Sequence, residues 1–130
     1  MSEQFKLEII SPEKSFFLND NVTEAIIPGY EGEMGILKDH ISIISFLKPG
    51  IIKIFSNSNE EKYYVDDGII EFKNNNLSVL TSYILDIKNI DKDKIDFLLK
   101  DAENKLKNDK ISDQNRYLVD QKIEILRSFN

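Results

Sequence analysis

A change of period near residue 85 constrains this chain more than any other feature. Up to Leu80 the apolar residues fall in short runs of four to seven, each closed by turn-forming residues. Phe5, Leu7 and Ile9 alternate with Lys6 and Glu8, the pattern of a half-buried strand. Further strands are expected over Ser15–Leu18, Val22–Ile27, Ile41–Leu47, Ile51–Phe55, Lys62–Val65, Ile69–Phe72 and Leu77–Leu80. Turns are expected at Ser11–Lys14, Asn19–Asn21, Ser56–Glu61, Asp66–Gly68 and Asn74–Asn76. Many short strands at close spacing give a sandwich or barrel.

Beyond Ile84 the spacing becomes helical. Ile95, Leu98, Leu99, Ala102 and Leu106 share one face, with Asp91 as N-cap. Asp96–Lys100, Asp101–Lys105 and Glu103–Lys107 are acid-before-base pairs four apart, each worth about 0.2–0.5 kcal/mol to a helix. Asn108-Asp109-Lys110 interrupts the pattern. Ser112 or Asp113 then caps a second helix, with Leu118, Val119, Ile123, Ile125, Leu126 and Phe129 on its apolar side. Helices of about four turns are marginal alone in water, so their stripes must pack on each other, on the strands or on a partner. The fold class expected is an all-β sandwich N-terminal domain (residues 1–84), a linker (85–90) and a C-terminal α-helical hairpin (91–130).

The charge divides at the same place. Residues 1–84 hold 7 Lys+Arg against 13 Asp+Glu, whereas residues 85–130 hold 10 of each. The net charge of −6 argues against nonspecific nucleic-acid binding. No apolar run approaches the roughly 20 residues that span a bilayer, and the N-terminus lacks the pattern of a secretory signal. With no cysteine, disulfides and thiolate metal sites are excluded.

The stretch Val22–Gly50, VTEAIIPGYEGEMGILKDHISIISFLKPG, carries the densest pattern of special residues. Gly29, Gly32 and Gly35 follow at intervals of three, which predicts a tightly folded loop between two strands. Glu31, Glu33, Lys38, Asp39 and His40 mix there with Tyr30, Met34, Ile36 and Leu37, a composition suited to a contact surface. The order PG-x-EGE-x-GIL, a histidine five residues after Gly35, then LKPG, resembles the epsilon subunit of bacterial F-type ATP synthases. Lys38-Asp39 and Ile41-Ser42 stand where that family usually has Pro-Gly or Gly-Gly before the histidine and Ala-Pro after it, and Asp67-Gly68 replaces a later Gly-Gly.

The resemblance implies a non-catalytic central-stalk subunit of a proton-transporting ATP synthase, coupling the gamma subunit to the c-ring. It implies contact with those partners through Glu31, Gly32, Glu33, Met34, Gly35 and His40. It also implies a hairpin that inhibits ATP hydrolysis by reaching the alpha and beta subunits, with Arg116, Lys122 and Arg127 as candidate residues. Such a subunit sits peripherally on the cytoplasmic face of the bacterial inner membrane, held there only through the complex. Some relatives bind ATP through Ile/Leu-Asp-x-x-Arg-Ala. Here Ile95-Asp96 is followed by Leu99 and Lys100, and loss of the arginine removes the bidentate phosphate partner, so no cofactor is expected. His40, the single histidine, has no second histidine with which to share a metal, and no phosphate-loop Gly-Lys-Ser/Thr follows the glycines. The alternative reading is a free-standing β-sandwich protein-binding module with a regulatory helical tail; an enzyme would need a pocket that perturbs Glu31 and Glu33.

Overall fold

The computed structural model describes residues 3–12 and 14–129; Met1, Ser2, Glu13 and Asn130 lie outside them, and with Glu13 part of the turn expected at Ser11–Lys14. Ten strands precede two helices: β1 (Phe5–Ser11), β2 (Lys14–Val22), β3 (Glu24–Gly29), β4 (Gly32–Leu37), β5 (Ile43–Leu47), β6 (Gly50–Ser56), β7 (Asn59–Val65), β8 (Gly68–Lys73), β9 (Asn76–Thr81), β10 (Ile84–Asp86), α1 (Lys92–Leu106) and α2 (Asp113–Arg127). A short 3₁₀ turn occupies Ile87–Asn89.

The strands form one hydrogen-bonded path, β10-β7-β6-β3-β5-β8-β9-β1-β2, with β4 paired to β3 off the path. A single register pair, Gly29↔Leu47, joins β3 to β5, flanked by backbone hydrogen bonds from Tyr30 to Phe46 and from Lys48 to Pro28, and there the sheet turns over. The β10-β7-β6-β3 half then faces the β5-β8-β9-β1-β2 half. Ala25, Ile27, Ile52, Ile54 and Val65 from the first half meet Leu7, Ile9, Leu47, Ile70, Phe72, Leu77 and Val79 from the second, all at most 1% exposed. Phe17 of β2 touches Tyr63 of β7, ring centroids 5.4 Å apart, closing the two ends of the path over each other. The result is the sandwich expected from the alternation.

Local chemistry explains where the strands run differently from expectation. The glycine-rich loop is a β-hairpin: β3 and β4 pair from Glu24↔Leu37 to Gly29↔Gly32, around a two-residue turn at Tyr30-Glu31. Gly29 permits the close crossing, since a Cβ there would lie 2.9 Å from the Gly32 carbonyl oxygen. Asn19, Asp20 and Asn21 are not a turn but part of β2, where a register irregularity against β1 absorbs them. The polar run Ser56–Glu61 turns only at Asn57-Ser58, and Asn59, Glu60 and Glu61 already pair with β6. Ile84–Asp86 pairs with Tyr63–Val65, so Leu85 and Asp86 of the expected linker belong to the sheet. Asn74 and Asn75 hold φ of 52° and 58°, as a two-residue hairpin turn requires of both positions.

The helices begin where the caps predict. Asp91 Oδ1 accepts from the Lys94 amide at 2.7 Å, and Ser112 Oγ from the Asn115 amide at 3.1 Å. Ile95, Leu98 and Ala102 of α1 and Ile123 and Leu126 of α2 are buried. Tyr64 and Leu85 of the sandwich form one cluster with Leu98 and Leu126, and Ile51, Tyr83, Ile90, Leu99, Ile125 and Phe129 pack around it. The hairpin is therefore folded down on the β10-β7-β6 half. Of the three expected i,i+4 pairs only Lys105–Asp101 closes as an ion pair among the described residues, at 3.3 Å. Glu103 instead reaches across to Arg127 at 3.0 Å, tying α1 to α2.

Candidate functional site: an outward apolar row beside the glycine hairpin

In a strand, adjacent residues point to opposite faces, so two apolar neighbours place one side chain in the core and one outside. Five such doublets lie on four adjoining strands: Ile9-Ile10, Ile43-Ile44, Phe46-Leu47, Ile69-Ile70 and Val79-Leu80. Ile9, Leu47, Ile70 and Val79 are sealed in the core, while their neighbours face out. The register aligns the outer members. Phe46 is opposite Ile69, Ile69 opposite Leu80, and Leu80 beside Ile10. Phe46, Ile69 and Leu80 are 62, 43 and 49% exposed, and Ile44, two residues along β5 from Phe46, is 71% exposed. A contiguous apolar row on a folded chain marks an interaction surface, whereas singly scattered apolar residues need no explanation.

Hollows flank the row at both ends. One, of about 560 Å³, is lined by residues 29–34 and 43–46, that is, by the glycine hairpin and β5. The other, of about 580 Å³, lies among Ile10, Pro12, Gly68, Ile69 and Leu80. Tyr30, in the hairpin turn, donates its amide to the Phe46 carbonyl at 3.2 Å and packs its ring 6.2 Å from the Phe46 ring. The turn is thereby fixed to the row.

The residues picked out in the sequence distribute unequally over this surface. Glu31, Gly32 and Glu33 are exposed at the turn and line the first hollow, and Gly32 has a φ of 135°. Met34 is half-buried against the core, and Gly35 is exposed farther along β4. His40 lies beyond the opposite end of β4, about 17 Å along the strand from the turn at 3.3 Å per residue. Its Nδ1 is 2.6 Å from the Ile41 carbonyl oxygen, and its ring stands edge-on to Phe72 with centroids 5.8 Å apart. Asp39, at φ 65°, is held by paired hydrogen bonds with Asn75. Glu31 and Glu33 therefore share a surface with Phe46, while His40 does not join them. No group of three potential metal-ligating side chains occurs among the described residues, and no helix is long and apolar enough to cross a membrane.

The hairpin candidates also part company. Arg116 is exposed on the first turn of α2, and Arg127 is engaged with Glu103. Lys122 turns the other way, into the sandwich, where its Nζ lies 3.3 Å from Asp66 Oδ2, the two side chains being only 13 and 15% exposed. The Tyr64 hydroxyl donates to the other oxygen, Oδ1, at 2.7 Å, and burial followed by the Asp66 charge pushes the Tyr64 phenol well above its ordinary pKa. This polar anchor is a correction: the two helical stripes and the turn between them suggest only an apolar seam. Leu99, standing where the ATP motif would have arginine, packs into that seam, while Asp96 is exposed.

The row itself escaped the sequence reading. Alternation identified strands by their inward residues, and only the doublets, read across neighbouring strands, carry the outward signal. Residues 4–86 match the model of the ATP synthase delta/epsilon chain β-sandwich domain. The ATP synthase epsilon chain of Pelagibacter ubique is 69% identical over 130 residues, covering all of both chains. That of Rhodopseudomonas palustris is 31% identical over 87 residues, 67% of this chain and 64% of its own length. Among solved structures, the Euglena gracilis mitochondrial ATP synthase contains a chain with TM-score 0.75 at 21% identity, covering 98% of this chain and 79% of that one. A chain of the Tetrahymena thermophila mitochondrial ATP synthase central stalk and c-ring superposes with TM-score 0.71 at 14% identity, over 99% of this chain and 98% of that one.

Proposed function

The chain belongs to the ATP synthase delta/epsilon chain family, and on that premise we propose that it is the central-stalk subunit whose sandwich couples the gamma subunit to the c-ring. The observation that carries this reading is the outward row Phe46-Ile69-Leu80-Ile10 beside the glycine hairpin. A gamma subunit seated on the row takes its apolar side chains out of water. The Tyr30-Glu31 turn then projects Glu31 and Glu33 from the rim of the same surface toward the polar loops of the c-ring. A rotary coupling must carry torque, and a two-layered β body with a closed core transmits strain with little compression.

The subunit performs no reaction of its own. Its chemistry is contact, and the exposed carboxylates at the turn serve that contact. The helical hairpin is the regulatory part and acts as a brake on ATP hydrolysis when it leaves the sandwich for the alpha and beta subunits. A part-buried ion pair, one apolar cluster and the contacts of Gln114 and Tyr117 with Tyr30 hold it, a connection of the kind that permits two positions. The subunit works at the cytoplasmic face of the bacterial inner membrane and reaches the membrane only through the complex.

The test is Phe46→Lys combined with Ile69→Lys, both at side chains outside the core. Each large apolar residue buried at an interface is worth about 1–2 kcal/mol, so the pair should weaken gamma binding by at least tenfold while the far-ultraviolet β signature is unchanged. Undiminished binding of the folded double variant would remove the row from the coupling surface.

A further inference from the structure

We propose that Tyr30 links the docked hairpin to the partner-facing row, so that a gamma subunit on Phe46 and a hairpin held on the sandwich reinforce each other; this rests on the docking face proposed above. Tyr30 touches both parts. On one side lie the amide contact to the Phe46 carbonyl and the Phe46 ring. On the other, the Tyr30 hydroxyl accepts from Gln114 Nε2 at 3.2 Å, and its ring lies 5.7 Å from that of Tyr117. Gln114 and Tyr117 belong to the start of α2, 84 residues or more along the chain.

The three rings form a continuous strip from β5 to the helix. Phe46 and Tyr117 at its ends are 62 and 38% exposed. A partner that covers Phe46 therefore meets Tyr30 and the edge of Tyr117. With α2 docked, the Tyr30 side chain is already held by a hydrogen bond and a ring on the helix side. A partner then has one fewer side chain to order, which is how preorganisation raises affinity. Thermodynamic linkage makes the effect reciprocal: the partner must hold α2 down by the same factor. One aromatic contact of this kind corresponds to about a threefold change in either equilibrium.

The experiment is hydrogen exchange on the full-length chain with and without purified gamma subunit. In the unmodified chain, gamma should slow the amides of Ile43–Leu47 and also those of Leu118–Ile123, the latter about threefold. In Tyr30→Ala the slowing at Ile43–Leu47 should persist and that at Leu118–Ile123 should vanish, with Tyr30→Phe intermediate. In the reciprocal direction, Gln114→Ala, which removes the hydrogen bond to Tyr30 and leaves the three rings in place, should weaken gamma binding about twofold. Protection of β5 without any effect on α2 in the unmodified chain refutes the link and leaves the docking face standing. Slowing of α2 that survives in Tyr30→Ala means that the partner reaches the helix by another route, and removes Tyr30 from it. Absence of protection at β5 overturns the docking face and the link with it.

Discussion

Lys122→Ala should loosen the hairpin without loosening the sandwich. The Lys122–Asp66 pair lies between two regimes. Exposed pairs contribute about 0–1 kcal/mol, and removing one member of a fully buried pair costs about 3–5 kcal/mol. At 13 and 15% side-chain exposure the pair is largely withdrawn from water, but Asp66 keeps the Tyr64 hydroxyl and some access to solvent once the ammonium is gone. The expected cost is about 1–2 kcal/mol, which multiplies the undocked population by roughly 5 to 30. Lys122→Met retains most of the aliphatic stem and isolates the loss of charge. Combined with Asp66→Asn in a double-mutant cycle, it should give a coupling of about 1 kcal/mol. Native-state hydrogen exchange reads the result directly: amides of Leu118–Leu126 should exchange about tenfold faster in Lys122→Ala, with those of Leu77–Thr81 unchanged. Unchanged α2 exchange would show that the ion pair does not hold the hairpin, which then rests on the apolar cluster and the Tyr30 contacts. Equal acceleration in β9 would show that hairpin and sandwich open as one unit.

Truncation after Asn89 removes α1 and α2 but spares every strand, so assembly should survive; ATP hydrolysis by the soluble catalytic complex should rise several-fold at equal occupancy, and equal rates would make the hairpin purely structural. Gly68→Ala should cost about 3 kcal/mol or more in urea unfolding, because its Cβ would overlap the Leu80 carbonyl oxygen, a backbone atom that cannot swing away. Gly35→Ala, whose Cβ meets nothing closer than Glu24 Oε2 at 3.8 Å, should fall within about 0.5 kcal/mol of the parent. The Tyr63 phenol is pushed up to about 12 by burial, then by the charges of Glu61 and Asp86. Its folded pKa exceeds the unfolded value near 10, so its contribution is complete below pH 10 and is lost as the pH rises toward 12. Urea midpoints measured across that window should fall less steeply in Tyr63→Phe.

The sandwich, the helix caps and the apolar helix faces were legible because each depends on neighbours in sequence. Asp91 and Ser112 cap from three residues away, and Phe5, Leu7 and Ile9 declare a strand by alternation alone. The hairpin hidden in the glycine stretch was harder. Gly29, Gly32 and Gly35 signal close backbone approach equally well in a loop and in a paired strand, and the pairing with Glu24–Gly29 decides between them. The anchor was out of reach: Asp66 and Lys122 are 56 residues apart, and no periodicity links a turn aspartate to a lysine on a distant helix. The candidate surface was half visible. Glu31, Glu33 and the glycines mark its rim, but Phe46, Ile69 and Leu80 become a row only when the strand register sets them side by side.

The parallel pairing of β1 with β9 governs when the chain can fold. Lys6–Ile10 finds its neighbour in Asn76–Leu80, some 70 residues later, and is flanked on its other edge by β2. During synthesis at about 5–20 residues per second, the first strand waits roughly 4–14 seconds for that partner. In that interval Leu7 and Ile9 have only the β2 hairpin to shelter them, and an isolated two-stranded hairpin is marginal. The second half of the sandwich thus closes nearly all at once, when β9 arrives between β8 and β1, and the helices then dock on a finished surface. Ribosome-stalled chains that end before Asn76 should accordingly stay protease-sensitive, and chains extended past Thr81 and clear of the exit tunnel should become resistant in a single step.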